Sequence, residues 1–269
     1  MTSIFAVLAA GLLQGLLEWL PVSSSGQVFV YLTEALGLNP MLAYSYSLAL
    51  HLATALSAAT YYYRFVVKAL VKLRGVEARI LFIPLITGLP LGLVVHNYYQ
   101  YFLGKATLDE VNLIVGALLI VTGLIIIPRP TRLRIRQITG ISLVDLLAIG
   151  VLEALALLPG LSRSGVVTSY LLARGYNSSS AVKIAFVTAI PSTLAAGLYE
   201  LVIAGSRIVS KTSSVLILSA LLVAYLSGLL AILVLDKVAE KLVSRIGVFM
   251  VIYGFIIVAL HVPLLLALT

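Results

Sequence analysis

Residues 14–26 read QGLLEWLPVSSSG and residues 153–165 read EALALLPGLSRSG, and these two stretches decide the fold. Each is an apolar, helix-like run that meets a proline and then a short Ser/Gly segment: Pro21 before Ser23 to Gly26, Pro159-Gly160 before Ser162 to Gly165. Proline lacks the N–H donor and its ring clashes with the preceding turn, so each run must break there. The flanking sequence is apolar on both sides, over 3–35 and 141–173, which predicts two re-entrant helix, loop, helix elements. A non-helical loop at membrane depth is tolerated only where it is buried in protein or lines a wet cavity. Two such loops in one chain therefore imply a site, and they are expected to meet in it.

The membrane setting follows from composition. Of the 269 residues, 61% are apolar and 10% charged, with a mean hydropathy of +1.14, against ~50% and ~25% in an ordinary soluble domain. Apolar stretches long enough to cross a bilayer occur at 41–63, 80–97, 111–127, 183–203, 214–235 and 246–268. The expectation is an all-α integral membrane protein in one membrane domain, 1–269, with six transmembrane helices plus the two re-entrant elements. The N-terminus carries no basic n-region and its apolar run continues into Glu18 and Pro21, so it reads as retained structure rather than a signal peptide.

The net charge of +8 does not indicate nucleic acid binding, because the basic residues fall in short clusters between apolar stretches. Arg64, Lys68, Lys72, Arg74 and Arg79, the arginines of 129–136, the basic residues of 236–245, and Arg174 with Lys183 all fit one side. By the positive-inside rule that side is cytoplasmic, which places both termini outside a multi-pass cell-membrane protein. With no cysteine there is neither a disulfide nor a thiolate metal site, and His51, His96 and His261 are too scattered for a histidine cluster. The tyrosines of 61–63 and 98–101 suggest aromatic belts, and Glu34, Asp145 and Glu200 suggest interfacial acids.

Sliding the chain by 139 residues aligns 14–26 with 153–165 without a gap, pairing Ser23 with Ser162, Ser25 with Ser164, Gly26 with Gly165, and further on Thr54 with Thr193. Each half, 1–130 and 140–269, then holds one re-entrant element and three spans. An odd number of crossings inverts the second half relative to the first, and sites in such inverted-topology repeats lie where the halves meet.

Within the breaks, Glu18 is either a helix-packing polar residue or a general base or metal-binding carboxylate, since an ionised carboxylate in lipid costs at least ~2.5 kcal/mol unless paired or wet. Gln14 lies one turn earlier on the same face. Arg163 has the planar fork suited to phosphate, and it would equally pair with a buried acid such as Glu18 or Glu153. The Ser/Gly starts of the second half-helices, Ser23 to Gly26 and Ser162 to Gly165, can direct N–H groups at an anion. Ser23, Ser24 and Ser25 offer hydroxyls for attack on phosphorus, although serines in such breaks more often only cap the next helix. His51 and Thr54 share a helix face, either as interhelical hydrogen-bond partners or as site residues.

Taken together, QGLLEWLPVSSSGQ (14–27) and LLPGLSRSGVVTS (157–169) resemble the two signature segments of the BacA-type undecaprenyl pyrophosphate phosphatases. LALHLAT (48–54) is similar to that family's His-x-Gly-Thr stretch, with Ala53 at the usual glycine, and FVTAIPSTLAA (186–196) to its Ala-Ile-Pro helix. The resemblance implies an inverted repeat that removes the terminal phosphate of an undecaprenyl- or dolichyl-type diphosphate, recycling the lipid carrier for envelope glycan synthesis. By motif position it implies Glu18 as the essential carboxylate and metal ligand, Ser24 as candidate nucleophile with water attack also open, and Arg163 on phosphate. Gln14, Ser23, Ser25, Gly26, Gln27, His51, Ser162, Ser164, Gly165 and Thr168 would line the substrate, with Mg2+ or Ca2+ as cofactor. Gln27 stands where the family carries a histidine, and glutamine can be neither general acid nor nucleophile. That departure motivates an alternative, a lipid-phosphate binder or translocase without hydrolysis. The expected partners are the lipid and the bilayer, with no nucleic acid; self-association stays open.

Overall fold

The computed structural model describes residues 4–127, 135–211 and 213–266, and within them every side chain outside 206–207, 209–211 and 236–245. Among the described residues the regular elements are helical: α1 (Ile4–Glu18), α2 (Ser24–Val30, continuing in a π-helical turn through Ala35), α3 (Pro40–Tyr61), α4 (Tyr63–Val71), α5 (Val76–Leu103), α6 (Leu108–Ile126), α7 (Leu143–Leu155), α8 (Arg163–Ala173), α9 (Ser178–Lys211) and α10 (Ser214–Leu266). Their starts are written in the sequence. Asn39 caps α3 with Pro40 in its first turn, Thr107 and Glu110 close a capping box on α6, and Ser142 caps α7.

Among the described residues, five segments are long and apolar enough to cross a membrane: Val76–Leu103, Leu108–Ile126, Ser178–Gly205, Ser214–Leu235 and Ile246–Leu266. The sixth expected span is α3, 22 residues and so roughly 33 Å long. It stands apart from the five by composition, since Ser45, Ser47, His51, Thr54 and Ser57 are buried in it. The reason is its position: α3 packs against α1, α2, α9 and α10, so most of its circumference meets protein rather than lipid.

Both expected breaks are present. α1 ends at Glu18 and α2 packs back on it; α7 gives way at Ala156 and α8 packs back on α7. α1 lies along α10 and α7 along α5, α3 pairs with α9, and α6 with α10. The α5–α7 contact is glycine-mediated, since a Cβ on Gly88 would sit 2.6 Å from the Gly150 carbonyl.

Two apolar cores divide the molecule. One holds Ala69, Ala78, Ile141 and Tyr176 around Trp19 and Phe186; the other holds Val7, Leu42, Leu103 and Ile257 around Phe29 and Tyr44. Trp19 belongs to the first and Val22 to the second, so the first break lies where they meet. Outside them Phe5, Ile86, Val94, Val202, Leu222 and Phe255 are exposed, an apolar surface suited to lipid.

At the end of the first core Arg136 and Arg174 converge on Asp145. The other arginines of 129–134 lie outside the described residues, as do the side chains of 236–245. Three sequence expectations are corrected here. Tyr62 and Tyr99 are buried, while Tyr63, Tyr98 and Tyr101 are exposed as belts require. Glu200 is wholly buried against His96, 3.4 Å away, because α9 continues past the expected span end. Asp145 is also wholly buried, the hub of a polar latch rather than an exposed interfacial acid.

Candidate active site

Pro21 ends the first run, and Ser23 follows at φ 55°, the one non-glycine residue in left-handed backbone among the described residues. Such strain is held only by surrounding contacts. Here Ser23 Oγ accepts the Gly26 N–H at 3.4 Å, capping α2, and also the Gly160 N–H at 3.0 Å from the second break. Gly160 is itself at φ 102°, and its carbonyl accepts from Thr122 Oγ1 of α6 at 2.8 Å. Thr122 Oγ1 in turn accepts the Ser162 N–H at 3.2 Å. Ser164 Oγ donates to the Leu20 carbonyl at 3.1 Å, so each break is tied to the other.

Glu18, at the last turn of α1, is the hub. Gln14 Nε2 donates to its Oε2 at 2.6 Å and Ser24 Oγ donates to the same oxygen at 2.5 Å. His51 Nε2 of α3 lies 3.4 Å from Oε2, while its Nδ1 contacts the Ser47 carbonyl at 2.7 Å. A carbonyl only accepts, so Nδ1 carries a proton. Arg163 Nη2 donates to Oε1 and its Nη1 to Thr193 Oγ1 of α9. The Glu18 side chain is 3% exposed and that of Arg163 13%, a burial that two charges sustain only when well paired.

Glu18, Ser23, Ser24, Ser25, His51, Glu153, Ser162, Arg163, Ser164, Ser192 and Thr193 line one polar cavity of about 50 Å³. Beside it lies an apolar cavity of about 280 Å³, walled by Leu85, Leu89, Leu93 and Tyr199, and the two share Leu48, Glu153, Leu157, Ser192 and Ala196.

The other expected residues stand apart from the polar cavity. Gln14 sits behind Glu18 and reaches the cavity only through it. Gly26 packs on the second break, where a Cβ would meet the Gly160 nitrogen at 2.7 Å, and Gly165 packs on Ile126. Gln27 turns its amide to the Val22 carbonyl at 3.4 Å. Thr168 lines a separate small pocket with Trp19 and Phe186. Thr54 is buried with its hydroxyl on the His51 carbonyl.

Four residues escaped the sequence reading of the site: Glu153, Ser192, Thr193 and Thr122. Two carried a signal, because the 139-residue offset pairs Glu153 with Gln14 and Thr193 with Thr54. Ser192 lay within the family-like stretch FVTAIPSTLAA, and no signal marked Thr122.

A buried arginine, a hydroxyl set on a carboxylate, and an adjoining apolar cavity inside a bundle of apolar helices define a class: a multi-pass membrane protein with a buried polar cavity beside an apolar one. Comparison narrows it. Over residues 7–260 the chain matches the family described as Bacitracin resistance protein BacA, and it belongs to that family. It is 33% identical over 256 residues to the undecaprenyl-diphosphatase of Haloarcula marismortui, covering 90% of this chain and 92% of that one. It is 31% identical over 245 residues to that of Methanopyrus kandleri, covering 89% and 90%. With the one from Saccharolobus islandicus it shares 32% over 192 residues, 69% of each.

Proposed function

We propose that this chain hydrolyses a polyprenyl diphosphate, undecaprenyl- or dolichyl-type, to the monophosphate and inorganic phosphate. The observation that carries this reading is the Ser24 hydroxyl donating to the Glu18 carboxylate while Arg163 faces the same cavity. Glu18 takes the Ser24 proton as Oγ bonds to the terminal phosphorus, and the bond to the bridging oxygen breaks to release the polyprenyl monophosphate. Water then displaces the phosphate from Ser24, Glu18 acting as acid and base in turn. Arg163, which lines the same cavity, stabilises charge on the transferring phosphoryl oxygens. The apolar cavity fits the first isoprene units of the chain.

A divalent cation, Mg2+ or Ca2+, would be held by Glu153 and would supply positive charge to neutralise the phosphate there. The residues fit such an ion, since both oxygens of Glu153 are enclosed without a hydrogen-bond partner at the junction of the two cavities.

The packing also supports two inverted halves, 1–130 and 140–269. The 139-residue offset carries the α1–α10 contact onto α7–α5, and maps α3–α9 and α6–α10 each onto itself. In that topology the α1–α2 and α7–α8 elements are re-entrant, α3 is the sixth span, and both termini lie outside the cell membrane. A translocase without hydrolysis finds no such support, and the relatives are named as diphosphatases.

The deciding experiment is phosphate release by the purified, Mg2+-supplied protein from a polyprenyl diphosphate. Release from the wild type with background levels from Glu18→Ala and Arg163→Ala is expected. No release from the wild type, or undiminished release from both variants, would sink the hydrolytic reading.

A further inference from the structure

Glu18 is the acid to which sequence assigns a metal, yet both its oxygens are engaged, Oε1 by Arg163 and Oε2 by Gln14, Ser24 and His51. Glu153, on α7 and so on the other side of the crossing, is the opposite case. It is 5% exposed, lines both cavities, and neither oxygen accepts a hydrogen bond. The Thr188 and Ser192 hydroxyls lie near enough to act on Glu153, but each donates its proton to its own helix, at Ala185 and Ala189. Arg163 acts on Glu153 through its field without forming an ion pair within 4.0 Å, its two contacts going to Glu18 and Thr193.

A carboxyl so enclosed stays neutral unless a counter-charge reaches it, and a buried carboxylate beside hydroxyl oxygens is the donor chemistry of a hard cation. No group of three His, Asp or Glu residues that could cage a metal exists among the described residues. The missing ligands must then come from the substrate, in the manner of Mg2+ held by one carboxylate and phosphate oxygens. We infer that Glu153 is the protein's metal ligand, holding one divalent cation jointly with the diphosphate, with Ser192 beside it, and that Glu18 is left to handle protons. The inference rests on the diphosphatase reading for its ligand class only.

The division of labour is also chemically required. A carboxylate clamped on a cation is a poor proton acceptor, so one group cannot serve Ser24 and hold the ion at once. Glu18 faces the hydroxyl to be deprotonated; Glu153 faces the boundary that the diphosphate must straddle if its chain lies in the apolar cavity.

The test is Mn2+ binding to the full chain in detergent, followed by the loss of the free-ion electron paramagnetic resonance signal, with a non-hydrolysable methylene-bisphosphonate lipid present. The wild type should bind one ion per chain, Glu153→Gln should weaken binding at least tenfold, and Glu18→Gln should change it less than threefold. The Mg2+ concentration for half-maximal phosphate release should rise at least tenfold in Glu153→Gln, with turnover recovering as Mg2+ is raised. Wild-type affinity for Mn2+ in Glu153→Gln, loss of binding in Glu18→Gln instead, or no ion bound by the wild type overturns the assignment. An absence of phosphate release by the wild type at every cation concentration defeats the hydrolytic reading alone, and the Mn2+ titration still decides the ligand.

Discussion

Ser23 Oγ accepts the backbone N–H of Gly160, 137 residues away in sequence, at 3.0 Å, and this bond pins the two proline breaks face to face. It is possible only because Ser23 is held at positive φ and because Gly26 has no side chain at the crossing. A Cβ at Gly26 would sit 2.7 Å from the Gly160 nitrogen, closer than packed atoms allow. Gly26→Ala should therefore separate the breaks and lower stability by about 1–3 kcal/mol. Because Glu18 and Arg163 approach from opposite breaks, phosphate release should fall further than stability does. Thermal unfolding beside an activity assay checks both; a variant with wild-type melting and turnover would show that the crossing is not tight.

Ser24 and Glu18 form the shortest link between a hydroxyl and a base in the cavity, at 2.5 Å. Ser24→Ala should lower turnover at least about a hundredfold, since removal of a nucleophile commonly costs more than that. Trapping of ³²P on the wild-type chain after acid quench, absent in Ser24→Ala, would establish the covalent step. Full activity in Ser24→Ala would remove that step and leave Glu18 to activate water.

Gln27 stands where the family carries a histidine, and its position sets what restoring that histidine should do. Its amide is turned to the Val22 carbonyl and it does not line the polar cavity, whereas His51 does. From sequence alone a Gln27→His replacement would be expected to raise turnover; from the structure it should change it by less than about tenfold, under about 1.4 kcal/mol in barrier. Steady-state kinetics of the variant decide it, and a gain of a hundredfold would mean that residue 27 enters the site with substrate bound.

The site residues that sequence revealed are those that interrupt an apolar run. Glu18, the serines and Arg163 are conspicuous because polar and charged side chains are costly in lipid unless paired or wet. Glu153 carried the same signal, a charge in an apolar helix, but it was absorbed as a partner for Arg163, and only the cavity shows its oxygens unpaired. Hydropathy also misjudges helix faces packed in protein: the buried face of α3 is polar, and Glu200 is buried because α9 runs beyond its expected span end. Gly26, Gln27, Gly165 and Thr168 share the motifs but do not line the cavity, since one turn of helix points its residues in every direction, and Gln14 reaches it only through Glu18.

Asp145 offers a test of the fold that is independent of the chemistry. Its carboxylate accepts from Ser142 Oγ at 2.6 Å, Arg174 Nε at 2.8 Å, Tyr176 OH at 2.8 Å, Tyr170 OH at 3.1 Å and Arg136 Nη2 at 3.2 Å, tying the start of α7 to the end of α8. Burial by itself would raise this acid, but the bonds from Ser142, Arg174, Tyr176 and Tyr170 outweigh it and hold the carboxyl well below the usual carboxylate range. The same contact, after burial, pushes the Tyr176 phenol up to about 12. A depressed folded-state acid contributes stability above its unfolded value of about 3.9 and loses it as pH falls further. Asp145→Asn should cost about 2 kcal/mol at pH 7, a modest figure because both arginines are partly exposed. The gap between wild type and variant should then narrow below about pH 4, as the unfolded chain takes up the proton that the folded carboxylate still excludes. Urea unfolding in detergent at pH 7 and pH 3 measures that gap, and since every other acid is common to both proteins, a gap of equal size at the two values would mean that the latch does not depend on the Asp145 charge.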